Sequence, residues 1–153
     1  MEKKQPMIDA ELFEISQLLF NDPTAPMPSQ ALLQSSLYDY TIESLILIEH
    51  YLDSINGSRE LAADYSRVIL RIGAYTGEVI RRNAEREYHW YDYKEAIQLQ
   101  PILGIWGEQI DTKAVLYCSA ADHTVLPLQK VGKYLENGIE DSLIVFGSYF
   151  KSC

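Results

Sequence analysis

SRELAADYSRVILRIGAYTGEVIRRNAER, residues Ser58 to Arg86, reads as one long amphipathic helix, with the rest of the chain arranged around it. Leu61, Tyr65, Val68, Ile72, Tyr75 and Val79 recur at steps of three and four, which puts them on one helical face. Ile69 and Ile80 widen that stripe. Ser58 stands at the N-cap, directly after Asn56-Gly57, a stop for a preceding helix. Two glycines in the helix interior are the anomaly, since each costs about 1 kcal/mol relative to alanine. Gly73 and Gly77 lie one turn apart on the same side, so the spacing predicts a bare strip against which another element packs closely. Arg71, Glu78, Arg81 and Arg82 flank the strip, which argues for a contact in water and against a membrane dimer.

Moving toward the N-terminus, Ile42, Leu45, Ile48, Leu52 and Ile55 form the stripe of a helix over Thr41–Ile55, thickened by Ile46 and Leu47. A first helix carries Ile8, Leu12, Ile15 and Leu19 on one face. The prolines after Asp22 end it, and they mark residues 1–28 as an N-terminal helix and connection, a candidate arm, ahead of a single α+β domain at 29–153.

After Arg86 the texture changes. Tyr88 to Tyr93 are crowded aromatics that suit a strand. Pro101–Trp106 and Lys113–Cys118 read as two strands joined over Gly107–Thr112, and Thr124–Leu126 as one more. Pro127 fits the first position of a helix closed by Asn137-Gly138, and Asp141 or Ser142 caps a last helix through Leu143, Phe146 and Phe150. Helices, then strands, then helices predict α+β: a helical N-terminal half packed on a small antiparallel sheet, with C-terminal helices.

The 153 residues suffice for one sizeable core, and 22 acidic against 13 basic residues give a net charge of −9. That balance argues against nucleic acid and fits a basic protein partner. No apolar run reaches membrane-spanning length, and the N-terminus lacks an apolar signal core, so a cytoplasmic protein is expected. Cys118 and Cys153 fit free thiols better than a disulfide. His50, His89 and His123 are scattered, without a second His or Cys at ligand spacing, so neither metal nor cofactor is expected. Self-association stays open.

Three groups of residues are candidates for function. Glu78 is either a surface partner of Arg82, four residues on, or a polar group that fixes the helix against the sheet. His89, among aromatics and carboxylates, is the best single general base; with Glu78 it would make a small hydrolase. Eleven tyrosines and two tryptophans load the chain with binding-type aromatics. Tyr38-Asp39-Tyr40 and Tyr91-Asp92-Tyr93 are the candidate partner-binding segments, with Trp90 facing inward. Two functions compete: a non-enzymatic module that binds, and neutralises, a basic toxin or other basic protein, and the Glu78/His89 hydrolase. A cleft bringing both side chains to one point would favour the enzyme, and a flat acidic face with exposed Tyr91 and Tyr93 would favour binding.

GAYTGEVIRRN, then Trp90, then a strand hairpin, then PLQKVGKYLENGIEDSL resembles an uncharacterised bacterial domain family. Its marks are a Gly-x-x-x-Gly-Glu helix, a Trp opening the first strand, and a Pro-x-x-x-Val-x-Lys-x-Leu-x-x-Gly segment. The resemblance spans about residues 62–150 and implies a small α+β domain with Gly73, Gly77, Glu78 and Trp90 at motif positions. It implies no activity. Glu87-Tyr88-His89 stands where the family has a glycine before the tryptophan.

Overall fold

The computed structural model describes residues 5–20, 22 and 24–151. Six helices and a three-stranded sheet make up its regular elements: α1 (Gln5–Leu18), α2 (Leu45–Ile55), α3 (Arg59–Asn83), β1 (His89–Asp92), α4 (Tyr93–Leu99), β2 (Ala114–Cys118), β3 (His123–Val125), α5 (Pro127–Asn137) and α6 (Leu143–Lys151). The sheet is antiparallel in the order β1-β2-β3, with Trp90 opposite Leu116 and Leu116 opposite Val125. The architecture is α+β, as expected.

Helix α3 is the axis. Ser58 accepts a hydrogen bond from Leu61 N at 3.0 Å and so caps it, while Gly57 reverses the chain at φ 79°. From Arg71 to Ile80 every residue is buried, on all sides of the helix. A helix buried all round is a central one. Its neighbours are α1, α2, α5 and α6. The glycine strip is what lets them in. A Cβ at Gly73 would lie 2.8 Å from Leu128 Cα, on α5, and a Cβ at Gly77 would fall within the indole ring of Trp90 on β1. Both are occupied surfaces, one by backbone and one by an aromatic ring.

The N-terminal helix is no loose arm. Ile8, Leu12 and Leu19 belong to the same core as Ile69, Ile72 and Trp90, and α1 packs on α3 and β1. The segment after it is tied down by Arg71, which reaches from α3 to Asp22 Oδ2 at 2.6 Å and Ala25 O at 2.8 Å. The Thr24 hydroxyl, and after it Arg71, hold the Asp22 carboxyl below its usual range. Pro23 and Cys153 lie outside the described residues; Cys118 is a buried free thiol.

Other expectations need correction. Pro101–Trp106 is a 3-10 segment, so β2 pairs with β1 and β3 and no hairpin is made there. Pro101 starts that segment and leaves no ladder donor, which suits a turn better than a strand. Helix α4 directly follows β1, because Asp92 caps it by accepting from Glu95 N at 2.9 Å. Residues 41–44 form turns ahead of α2, which begins only at Leu45.

Tyrosines fill much of the core edge. Tyr75 OH lies 2.7 Å from Ser44 Oγ and accepts from Tyr40 N at 3.0 Å, while Tyr51 OH donates to Pro28 O at 2.6 Å. Burial pushes the Tyr75 phenol up to about 12, and burial raises Tyr51 and Tyr134 as well. An unfolded tyrosine gives up its proton near pH 10, so above that pH the unfolded chain binds fewer protons than the folded one. The stability that depends on a neutral Tyr75 is therefore complete below about pH 10 and falls between about 10 and 12. In an ultraviolet pH titration Tyr75 is expected to ionise near pH 12 while the chain stays folded, and nearer pH 10 once it unfolds. A Tyr75→Phe variant whose alkaline unfolding midpoint matches the parent would contradict this.

Candidate functional site

Charged side chains knit α1, α3 and β1 together around Glu78. Glu78, only 2% exposed, accepts through Oε2 from Trp90 Nε1 at 2.9 Å and from Arg81 NH1 at 2.9 Å. Arg81 also meets Asp9 Oδ2 at 3.1 Å and donates through Nε to Tyr88 O at 3.1 Å. Asp9 in turn accepts from Trp90 N at 2.7 Å and faces His89 Nδ1 at 2.7 Å. The partner of Glu78 is thus Arg81, three residues on, and not Arg82. Arg82 instead lies over the rings of Tyr40, at 4.2 Å, and Phe13, at 4.9 Å. Of the two readings of Glu78, the geometry matches the one that fixes helix to sheet.

The pairing of Glu78 with His89 does not assemble. The path between them runs through Arg81 and Asp9. His89 has its second nitrogen, Nε2, 2.7 Å from Glu87 Oε1, so both ring nitrogens face carboxylates. The shallow depression over Glu78, about 340 Å³, is walled by Asp9, Ala10, Phe13, Arg81 and Arg82, without His89. His50 is exposed on α2, and His123 is held by Tyr88 OH at 2.8 Å. Among the described residues no group of three or more His, Cys, Asp or Glu could hold a metal ion.

Nor do the two tyrosine segments form a flat docking face. Tyr38 is buried in the core, edge-on to Tyr75. Tyr40 is half-buried, stacked on Tyr75 at 4.8 Å and joined through its hydroxyl to Ser16 at 2.9 Å. These contacts hold Tyr40 at φ 63°, a region non-glycine residues rarely occupy. Asp39 alone is exposed, and its carboxylate is engaged with Thr41 Oγ1 at 2.6 Å. Tyr91 packs edge-on to Tyr117 over a small second cluster of Ala96, Leu103 and Val115, Asp92 is the helix cap, and Tyr93 is the half-buried first residue of α4. The corrections at Tyr91, Asp92 and Tyr93 share a cause: a short strand and a short helix follow each other without a spacer, so the side chains there serve the junction.

Exposed apolar side chains lie elsewhere: Ile139, then Val145 and Tyr149 on α6, and a run along residues 99–106. In the 3-10 segment Pro101–Trp106, Leu103 is buried in the second cluster while Ile102 and Ile105 are 63% and 69% exposed. Leu99 and Trp106 extend the strip at either end. It is not loose chain. Gln100 Nε2 donates to Asp122 Oδ1 at 2.6 Å, Gln109 Nε2 to Trp106 O at 2.9 Å, and Thr112 Oγ1 to Gly107 O at 2.7 Å. Sequence reading missed this site by taking it for a strand. The signal was present: QLQPILGIW holds five large apolar residues, and four of them, Leu99, Ile102, Leu103 and Trp106, fall at helical steps and do not alternate.

An open groove of about 530 Å³ runs between α1 and α4. Ile8, Leu12 and Ile15 line it from α1, joined by Leu70 from α3; Glu11, Glu95 and Glu108 stand on its walls. Among the described residues no helix is long and apolar enough to cross a membrane. Compared with known proteins, the chain matches no family model, no curated protein and no solved structure, so the resemblance noted above rests on the quoted blocks alone.

Proposed function

We propose that this protein is a non-enzymatic binding module that docks on a basic protein partner through the strip Leu99–Trp106. A cationic toxin that it neutralises is the specific instance in view. The observation that carries the reading is the pair Ile102 and Ile105, large aliphatic side chains turned to solvent on a segment pinned at both ends. Apolar surface of this kind on a fixed scaffold is what interfaces use, since little order is lost on docking. The net charge of −9 adds the sign of the partner. Further support comes from the commitments of Glu78 and His89, whose polar atoms are engaged with Trp90, Arg81, Asp9 and Glu87.

Immobilised protein is expected to capture a basic protein from cell extract, and association with the identified partner should slow as salt rises. Ile102→Asp and Ile105→Asp should speed dissociation about tenfold or more while the melting temperature holds, because both side chains are mostly exposed. An acidic partner, salt-indifferent association, or unchanged dissociation in both variants would overturn the reading.

A further inference from the structure

We infer that the pocket between β3, α5 and α6 binds a small aromatic carboxylate. It shares no lining residue with the strip Leu99–Trp106, so the two readings stand or fall separately. The pocket holds about 260 Å³ and opens to solvent. Val125 and Phe150, both buried, form its apolar floor together with Leu126 and Phe146. Phe146 meets Phe150 edge-on at 5.4 Å, and Phe150 stacks on the His123 ring at 5.9 Å. Tyr88 OH lies 2.8 Å from His123 Nδ1 and fixes that ring as a wall. Rings and aliphatic side chains around a small space suit a flat apolar body. At this volume one ring and a short acid arm fill it, since drug-sized sites start at about 300 Å³.

The polar groups come from α5, where Gln129, Lys130 and Lys133 line the pocket within one turn of each other. Two ammonium groups stand in the lining and no carboxylate does. The two lysines are not equivalent. Lys130 already donates to Asp141 Oδ1 at 2.8 Å and lies 5.5 Å from the centre of the Phe146 ring. Asn137 donates to Asp141 Oδ2 at 2.7 Å, so that carboxylate is satisfied outside the pocket. Lys133 is exposed and acts on Asp141 from beyond ion-pair distance. The charge left over is therefore that of Lys133, which matches a monoanion. A carboxylate brings a single charge and two acceptor oxygens, and Lys133 with the Gln129 amide supplies the countercharge and a further donor. A phosphate dianion asks for more positive charge than Lys133 alone provides, and a fully hydrated ion gains nothing from the aromatic walls.

The test uses the full chain and three probes: phenylacetate, its neutral amide phenylacetamide, and inorganic phosphate. NMR follows the methyl signals of Val125 and Leu126 and the ring signals of His123. Phenylacetate is expected to bind saturably with a Kd of about 1 mM or tighter, and phenylacetamide about threefold more weakly or worse. Phosphate alone should leave these signals in place. Lys133→Ala should bring phenylacetate down to the level of the amide without moving the melting temperature, because that side chain is exposed. Lys133→Arg, which keeps the charge, should restore the difference. Lys130 is left intact in these variants, since its pair with Asp141 also ties α5 to the turn before α6. Equal affinity for acid and amide, or indifference to Lys133→Ala, would overturn the inference, because charge would then select nothing. Displacement of phenylacetate by phosphate, shifts confined to other residues, or no saturation by about 10 mM would overturn it as well.

Discussion

Trp90→Ala and Gly77→Leu are each expected to destabilise the protein by about 3 kcal/mol or more, yet the double variant should lose clearly less than the sum. The indole of Trp90 is wholly buried, and emptying such a site costs about 3–5 kcal/mol. At Gly77 the ring occupies the space a side chain would need, with Pro127 next to it. Overpacking of that kind costs about 1–3 kcal/mol and more where the neighbours are rigid. The two defects are complementary in volume, since the leucine would enter the hole that the missing indole leaves. A favourable coupling of about 0.5–3 kcal/mol is expected from a urea-unfolding cycle. Additivity within about 0.5 kcal/mol would mean that ring and glycine do not share that space. Gly77→Ala gives a gentler version: helix propensity alone would stabilise it by about 1 kcal/mol, so any net loss measures the clash.

This pair also shows which parts of the fold were legible in the sequence. A glycine spacing that contradicts helix propensity is a local signal for a close neighbour, and both glycines have one. The identity of the neighbours was not legible, because Leu128 reaches Gly73 from 55 residues away along the chain and Trp90 reaches Gly77 from 13, by tertiary packing. The α2 stripe behaved similarly. Ile42, Leu45, Ile48, Leu52 and Ile55 are all buried, though the helix itself starts three residues later than Ile42. Periodicity reports the face that is covered; where the hydrogen-bonded turns begin depends on caps and on competing turns such as Asp39 with Thr41.

The candidate site was far less legible, for reasons visible at particular residues. Tyr38 looked like a binding aromatic beside an acid, but a neighbouring acid does not report burial, and its ring faces Phe20 and Tyr75 in the core. Asp92 looked like a charge on a strand edge. It is instead the point where β1 turns into α4, a junction that no period marks because both elements are short. Glu49 was passed over as an ordinary residue of α2. It is buried, and its carboxylate accepts from Ser142 Oγ at 2.7 Å and Ile144 N at 3.0 Å at the start of α6. Buried carboxylates here act as fasteners between elements distant in sequence.

Glu78 is the fastener with the largest expected effect. Glu78→Ala should cost about 3–5 kcal/mol, because it leaves the Trp90 N–H and part of the Arg81 guanidinium without the acceptor they share. Glu78→Gln should cost less, about 1–3 kcal/mol: its amide oxygen still accepts from Trp90 Nε1, while only the charge is lost. Arg81 limits both losses. It is partly solvated and keeps Asp9 Oδ2 at 3.1 Å and Tyr88 O at 3.1 Å, so its charge is not stranded. The order Ala worse than Gln is therefore the sharper expectation than either magnitude. Urea unfolding gives the order, and the Trp90 Nε1–H resonance reports the bond directly: it should move in both variants, and further in the alanine one. If the two variants unfold together, the hydrogen bond to Trp90 contributes nothing beyond the charge. If both match the parent, the helix is held to the sheet by the Gly77–Trp90 packing alone, and the carboxylate is a passenger in that contact.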